Sequence, residues 1–186
     1  MPRLPLQTAE TAPEAARPLV ARSVANNGFL PNLVAVLANA PTALETYLTV
    51  AEINGRSSLG LIEREIIQIT AAAIHGCEFC VAGHTALALK KAGLERATVA
   101  ALQRRGLTGN ARYDALVAFT RAVIVARGAV GDGELADFIA AGYSQQQSLE
   151  VVLGVSLATL CNFANNLAAN DINPELAAFR PGALQA

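Results

Sequence analysis

The sequence predicts an all-α protein, and three of its features support that fold class. Residues that favour helices, chiefly alanine, leucine, glutamate, glutamine and arginine, dominate every long segment of the 186 residues. No segment alternates apolar and polar residues with the period of two that marks a strand. Glycines and prolines, which interrupt helices, recur between the segments. A chain of this length fits one domain of about 100–200 residues, so we expect a single helical domain over 1–186.

The N-terminal third predicts an irregular arm followed by three helices. Pro2, Pro5 and Pro13 predict that residues 1–13 lack regular structure. The three helices are expected over 14–25, 32–39 and 41–53, and a proline stands at the start of the second and the third.

Two adjoining helical segments, 61–75 and 77–92, follow with Gly76 as the expected turn between them, and together they form the predicted catalytic hairpin 61–92. Glycines separate further helices, which are expected over 95–105, 111–127, 132–141 and 145–169. Residues 173–186 contain two prolines, and we expect a tail that packs on a neighbour or frays.

Two of these segments resemble each other. Each has a glutamate with a polar pair twelve and fifteen residues later: Glu65 with Cys77 and Cys80, and Glu150 with Asn162 and Asn165. We interpret 145–169 as a degenerate second copy of one helical unit, which has lost the reactive residues. Chance similarity between two apolar helices is the alternative.

Composition limits the class of partner. Lys and Arg number 14 against 15 Asp and Glu, and without a basic excess nucleic acid is not an expected partner. Arginines interrupt the apolar stretch 115–130, and the stretch 151–161 is too short to cross about 30 Å of hydrocarbon, so we expect no membrane partner. Residues 1–30 show no secretory signal, which favours a cytoplasmic protein. With 53% hydrophobic and 16% charged residues, we expect a homo-oligomer that buries apolar surface, and the segment 115–130 and the C-terminal tail are candidates for the subunit contact.

The reactive side chains concentrate between residues 75 and 84, which hold both histidines and two of the three cysteines. On one helix, Cys77 and Cys80 lie at positions i and i+3, and His84 lies four residues after Cys80, so the three share a face. At that spacing the two Cβ atoms are about 5–6 Å apart, close to disulfide distance. A helix N-terminus and a nearby histidine lower a thiol pKa. We therefore expect Cys80 to be a nucleophile with a lowered pKa and Cys77 to be its resolving partner.

Glu65 joins this group only if the chain reverses at Gly76. In one continuous helix, Glu65 would lie about 22 Å from Cys80 at 1.5 Å per residue. Two antiparallel helices instead bring Glu65 almost opposite His84, where a carboxylate orients the imidazole and increases its basicity. The predicted catalytic residues are thus Cys80, Cys77, His84 and Glu65.

These four residues resemble the motif of the alkylhydroperoxidase D-like family, within the carboxymuconolactone decarboxylase-like superfamily. The resemblance covers Glu65, the run Cys77-x-x-Cys80-x-x-x-His84, and the N-terminal segments 27–32 and 41–53. It implies an all-α fold, a trimer or hexamer, and thiol-dependent reduction of hydroperoxides, with Cys80 peroxidatic, Cys77 resolving, and Glu65 and His84 as the proton relay. A hydroperoxide and a dithiol or protein reductant are then the expected partners, and no cofactor or metal ion is expected.

One position departs from that pattern, because Phe79 stands where the family has a second histidine just before the second cysteine. A phenylalanine cannot relay protons. The departure concerns the electron donor and the efficiency of catalysis rather than the thiol chemistry.

Other readings of these residues stay open. A decarboxylase of the carboxymuconolactone type keeps the fold but needs a basic or histidine-lined anion site, which the sequence does not indicate. A non-catalytic redox sensor or scaffold is a third function. His75, Cys77, Cys80 and His84 are also candidate ligands of a structural zinc ion, although such sites usually draw ligand pairs from two separate segments. Inert buried cysteines are the remaining alternative, and Cys161 is expected to be one.

Overall fold

The computed structural model describes residues 3–185, and over that range the all-α prediction is confirmed, since the described residues contain helices and no strand. The α-helices of this part of the chain are α1 (Arg17–Asn27), α2 (Asn32–Leu37), α3 (Pro41–Gly55), α4 (Leu61–His75), α5 (Glu78–Lys90), α6 (Arg96–Gln103), α7 (Ala111–Val125), α8 (Asp132–Ala140) and α9 (Gln145–Ala168). Short 3₁₀ helices cover Glu14–Ala16, Pro174–Phe179 and Ala183–Gln185.

Helix α4 lies at the centre of the fold. Every residue from Glu65 to Ala73 is buried, and α4 packs against α5, α7 and α9. A helix that is apolar on all sides is stable in water only when other elements enclose it. Glu65 and Gln68 are therefore polar side chains within the core, and each of them needs a hydrogen-bond partner there.

Gly76 ends α4 and reverses the chain. Its φ of +67° lies in the left-handed region, which a residue with a Cβ rarely adopts. Cys77 then caps the N-terminus of α5, with its Sγ accepting a hydrogen bond from the backbone N–H of Cys80 at 3.4 Å. Helices α4 and α5 consequently run beside each other, and this arrangement brings residues from both onto one side of the hairpin.

Gly154 sets the contact between α9 and α4. A Cβ built at this glycine would lie 3.0 Å from Cγ2 of Ile67, and the side-chain amide of Gln68 donates to the Gly154 carbonyl at 2.9 Å. This close approach fixes the position of α9 along α4. The residues one to three turns further along α9 then reach the hairpin turn and the thiols.

Residues 145–168 do not repeat the shape of the hairpin. They form one helix of 24 residues, whereas the first segment reverses at Gly76. In the first segment, the turn glycine Gly76 lies eleven residues after Glu65. The corresponding position in the second segment, eleven residues after Glu150, is Cys161, so this segment has no glycine at the turn position. The internal duplication stays a prediction.

The two ends of the chain pack on its own helices. The arm over residues 3–13 is irregular, with the N–H of Arg3 donating to the carbonyl of Ala168 and that of Gln7 to Ala35. In the tail, the Pro174–Phe179 helix packs on α5 of the same chain, and Oδ1 of Asn173 accepts from the N–H of Asn32 at 2.8 Å. Met1, Pro2 and Ala186 lie outside the described residues.

By length and composition alone, helix α9 is long and apolar enough to span a membrane. The helix is longer than its most apolar stretch, residues 151–161, which by itself is too short to do so. In the structure it packs against α2, α3, α4 and α7, which enclose nearly half of its apolar segment.

Candidate active site

A cavity of about 760 Å³ opens beside α5. Its walls come from α3, α4, α5 and α9, from the connection between α1 and α2, and from the C-terminal tail. Three of the four predicted catalytic residues line it, namely Glu65, Cys80 and His84. Apolar side chains such as Phe29, Leu33 and Leu157 make up much of the remaining wall. The cavity is of the size and character that suits an organic molecule.

Glu65 and His84 form an ion pair between α4 and α5. Oε2 of the buried Glu65 lies 2.8 Å from Nδ1 of His84, whose side chain is 26% exposed. Burial by itself lowers the pKa of His84, but the charge and the hydrogen bond of Glu65 outweigh it, so that the pKa lies above its usual value of 6.5. The contact thus favours the protonated form of His84 at the cavity wall.

Cys77 and Cys80 are free, buried thiols that differ in acidity. The pKa of Cys77 is lowered, chiefly because the thiol of Cys80 donates a hydrogen bond to its sulfur; backbone N–H groups at the start of α5 and the charge of His84 add to the effect. The pKa of Cys80 is raised, because its proton is held by Cys77 and because it is buried. The direction for Cys80 is thus opposite to the lowered pKa that the sequence predicted.

Asn165 of α9 contacts the sulfur of Cys80. Its Nδ2 donates to Cys80 Sγ at 3.2 Å and to the carbonyl of Cys161 at 3.1 Å. Its Oδ1 accepts from Nδ2 of Asn170 at 2.8 Å, which fixes the orientation of the amide. From the sequence, Asn165 was expected to cap or bridge helices rather than to contact a thiol. Its position fifteen residues after Glu150, matching that of Cys80 after Glu65, is the signal that marks it.

His75 has its own set of partners, away from the cavity. Nδ2 of Asn162 donates to its Nδ1 at 3.0 Å, and Nδ2 of Asn166 donates to its carbonyl at 2.9 Å. Burial lowers the pKa of His75, and the imidazole therefore accepts the Asn162 bond in its neutral form. Within residues 3–185, no three His, Cys, Asp or Glu side chains are grouped so that they could hold a metal ion.

The cavity also contains polar residues that the sequence did not indicate. Arg64, Lys90 and Lys91 line it, so the expectation that this site lacks basic residues is wrong. Arg64 lies 26 and 27 residues before Lys90 and Lys91 in the sequence, and the α4–α5 hairpin brings all three to this cavity. Tyr47 also lines the cavity, and its pKa is raised by burial and by the neighbouring Cys161 and Cys80.

Cys161 is buried, as expected, and it too lines the cavity. Burial, assisted by the charge of Cys77, raises its pKa to about 12. At neutral pH this thiol stays protonated and is a poor nucleophile.

A second cavity, of about 370 Å³, opens on the other thiol. Cys77 lines it, together with residues of the hairpin turn, the start of α5 and the end of α9: Gly76, Glu78, Phe79, Asn165, Asn166, Ala169 and Asn170. Phe79 is the one lining residue that this cavity shares with the larger one. Phe79 therefore lies between the cavity at Cys77 and the cavity at Cys80.

Comparison with protein families gives one match: residues 39–127 fit the model of the carboxymuconolactone decarboxylase family. The matched segment includes all four predicted catalytic residues. No curated protein matches the sequence.

Solved structures share the fold over nearly the whole chain. A peroxidase-related protein from Ralstonia eutropha JMP134 with an alkylhydroperoxidase AhpD core is 19% identical, with a TM-score of 0.85 over 96% of this chain and 95% of that chain. A peroxidase-related protein from Silicibacter sp. TM1040 is 19% identical, with a TM-score of 0.77 over 98% and 94%. The debrominase Bmp8, as a cysteine-to-alanine variant in complex with 2,3,4-tribromopyrrole, is 18% identical, with a TM-score of 0.73 over 95% and 94%.

Proposed function

We propose that this chain is a thiol-dependent hydroperoxide reductase, because residues 39–127 match the model of the carboxymuconolactone decarboxylase family and the fold is that of a peroxidase-related protein with an alkylhydroperoxidase AhpD core. One observation carries the proposal: a pair of free thiols, one of which lines an organic-sized cavity together with a Glu65–His84 ion pair. The peroxidase-related names of the Ralstonia and Silicibacter proteins agree with it.

In the oxidative step, Cys80 attacks the terminal oxygen of the hydroperoxide. As the S–O bond forms, the Cys77 thiolate takes the proton of the Cys80 thiol. The hydrogen bond from Cys80 to Cys77 supports proton transfer in this direction. The O–O bond breaks, and the departing alkoxide takes a proton from the imidazolium of His84 and leaves as an alcohol. The products are a sulfenic acid on Cys80 and a neutral His84.

In the resolving step, Cys77 attacks the sulfenic sulfur of Cys80. The S–S bond forms, the S–O bond breaks, and the hydroxide leaves as water with the proton that Cys77 had received. The sum is two thiols and one hydroperoxide converted into one disulfide, one alcohol and one water. The position of Cys77 as the cap of the helix that carries Cys80 supports an intramolecular reaction, because the two sulfurs belong to one helical turn.

The cavity wall supports an organic hydroperoxide bearing a carboxylate as the substrate. Apolar side chains favour a hydrocarbon part, and Arg64, Lys90 and Lys91 favour a negative group at the rim. Hydrogen peroxide has neither a hydrocarbon part to contact the apolar side chains nor a negative group to bind the basic ones.

Mass spectrometry of the thiols before and after one equivalent of an organic hydroperoxide tests the proposal. We expect a loss of two mass units from the peptide that contains Cys77 and Cys80, with one alcohol formed per disulfide. Repeated turnover with a dithiol distinguishes an enzyme from a redox sensor, which reacts once per oxidation. Thiols that are unchanged by the peroxide would contradict the proposed function.

The basic residues of the cavity favour a second candidate, a decarboxylase of the carboxymuconolactone type. Arg64, Lys90 and Lys91 provide the anion site that this reaction needs, and the Glu65–His84 pair provides an acid–base group. This chemistry does not use the thiols. Release of carbon dioxide from a lactone carboxylate by a double variant, Cys77→Ser with Cys80→Ser, would favour it over peroxide reduction.

A further inference from the structure

We propose that the second cavity is the reductant site, in which a dithiol attacks Cys77 of the oxidised pair from the side opposite to the peroxide. The inference rests on the proposed function and adds a second binding site to it. Cys80 lines the larger cavity and Cys77 lines the smaller one, and only Phe79 among their lining residues is common to both. The two substrates of the reaction thus have separate routes to the two sulfurs.

Thiol–disulfide exchange explains why the side of entry matters. An attacking thiolate forms a bond to one sulfur while the other sulfur leaves in line with it. Attack on Cys77 from the second cavity makes Cys80 the leaving sulfur. The amide Nδ2 of Asn165, 3.2 Å from Cys80 Sγ, then stabilises the thiolate that departs. Attack on Cys80 would instead make Cys77 the leaving sulfur, which the backbone N–H of Cys80 contacts at 3.4 Å, so both sulfurs have a donor and the side of entry decides which one is attacked.

The second half of the exchange regenerates the starting state. The other thiol of the reductant attacks its own sulfur in the mixed disulfide, and Cys77 leaves as a thiolate. Backbone N–H groups at the start of α5 favour that thiolate. The reductant leaves as a cyclic disulfide, and its two protons return to Cys80 and His84. The thiol pair and the imidazolium required for the oxidative step are thereby restored.

The walls of the second cavity define the class of reductant. Three asparagine amides and the backbone of the turn surround Cys77, and the charged lining residue is the exposed Glu78. Amides suit a neutral hydrogen-bonding molecule, and the carboxylate of Glu78 repels an anionic one. We therefore expect an uncharged dithiol to react faster than a dithiol that carries carboxylates.

The test starts from protein oxidised to the Cys77–Cys80 disulfide with diamide, so that it does not depend on peroxide reduction. The rate of reduction by dithiothreitol is compared between the unmodified protein and Asn166→Trp, which fills the second cavity. Leu61→Trp, at an exposed edge of the larger cavity, is the matched control. We expect Asn166→Trp to slow reduction by about tenfold or more, and Leu61→Trp to change it by less than about twofold.

A second comparison uses charge instead of bulk. Reduction by dimercaptosuccinate, which carries two carboxylates, is expected to become several-fold faster in Glu78→Gln, while reduction by dithiothreitol changes less. Glu78→Trp, which alters an exposed residue, repeats the blocking test in case Asn166→Trp does not fold. Retained oxidation of the thiols by diamide shows that a variant is intact.

Three outcomes contradict the inference. If Leu61→Trp slows reduction as much as Asn166→Trp and Glu78→Trp do, or more, the reductant enters through the larger cavity. If neither blocking variant slows reduction, the second cavity is not the reductant site, although the proposed function stands. If diamide forms no disulfide between Cys77 and Cys80, the proposed function fails and the inference fails with it.

Discussion

Oε2 of Glu65 lies 2.8 Å from Nδ1 of His84, and this ion pair joins two helices across nineteen residues of sequence. It depends on the reversal at Gly76, since a continuous helix would separate the two residues by about 28 Å at 1.5 Å per residue. Glu65 is buried in the central helix, where His84 is its charged partner. The position of the relay is therefore a consequence of the hairpin turn.

Substitution of Glu65 by glutamine tests this relay. Glu65→Gln removes the charge that raises the pKa of His84, while the burial that lowers it remains. We expect hydroperoxide reduction to fall by about 10²–10⁴-fold if general acid–base assistance is lost. The measurement is kcat/KM with an organic hydroperoxide from pH 5 to 10. Unchanged activity would exclude Glu65 from the mechanism.

The pH profile gives a second readout of the same variant. Activity rises as Cys77 loses its proton, at a pKa below the usual 9.0, and falls as His84 loses its proton, at a pKa above the usual 6.5. Because Glu65→Gln lowers the pKa of His84, the alkaline limb should move to lower pH. Glu63→Gln is the matched control on the same helix, since Glu63 faces Arg112 at 3.9 Å and should leave the profile unchanged.

The cysteines should divide the reaction between them. We expect Cys80→Ser to abolish hydroperoxide consumption, because Cys80 lines the larger cavity, which we propose as the peroxide site. Cys77→Ser should react once and leave a sulfenic acid on Cys80 that dimedone traps. Cys161→Ala should still form the Cys77–Cys80 disulfide, because Cys161 remains protonated at neutral pH. Reversed phenotypes of the first two variants would exchange the roles of Cys80 and Cys77.

Asn165 should affect the reactivity of Cys80 directly. Asn165→Ala removes the N–H donor 3.2 Å from its sulfur. A hydrogen bond to a charged group contributes about 1.5–3 kcal/mol, so single-turnover oxidation should slow by about 10–100-fold. Asn162→Ala is the matched control, because it also removes a buried amide of α9 but one that contacts His75. If the two variants slow oxidation equally, Asn165 stabilises the fold and does not act directly on Cys80.

Local signals in the sequence accounted for most of the fold. Helix α4 has the predicted bounds because Gly76 stops it at a left-handed turn. Periodicity, caps and glycines act within a few residues, and they can be read without tertiary information. The sequence did not identify the partner of the tail, because that packing depends on a distant segment, with Asn173 bonded to the N–H of Asn32.

The candidate site was predicted only in the part that lies within one hairpin. Glu65 and His84 were paired correctly because one turn determines their approach. Asn165 and Tyr47 reach the site through the packing of α9 and α3, which no local pattern encodes. The acidity of the thiols was misjudged because it depends on which sulfur donates the hydrogen bond, and spacing does not specify that.

Gly154 should tolerate no larger side chain. A Cβ at this position would already lie 3.0 Å from Ile67 Cγ2, and Gly154→Val adds two methyl groups to that contact. We expect the free energy of unfolding to fall by about 1–3 kcal/mol through overpacking between α4 and α9. Gly133→Ala is the control, because open space surrounds Gly133 in α8 and the change should be neutral or stabilising. Denaturant unfolding of both variants provides the measurement, and an equally stable Gly154→Val would contradict the close contact.

The outer face of α9 supports the prediction of a homo-oligomer. Leu149, Phe163 and Leu167 are 72%, 55% and 64% exposed, and together with Val152 they lie along one side of the helix. The sequence favoured 115–130 and the tail as contact regions, but the tail is occupied by its own chain through the packing of Pro174–Phe179 on α5. An apolar stripe of this length is commonly covered in soluble proteins. We therefore expect α9 to form the subunit contact of a trimer or a hexamer.

Light scattering at micromolar concentration measures the assembly. The unmodified protein should have three or six times the mass of its 19.3 kDa chain. Phe163→Glu with Leu167→Glu should dissociate it, because two carboxylates in an apolar contact would have to be desolvated. Leu107→Glu is the matched control, since Leu107 is 81% exposed in a loop away from α9 and should leave the mass unchanged. A mass near that of one chain for the unmodified protein would contradict the prediction.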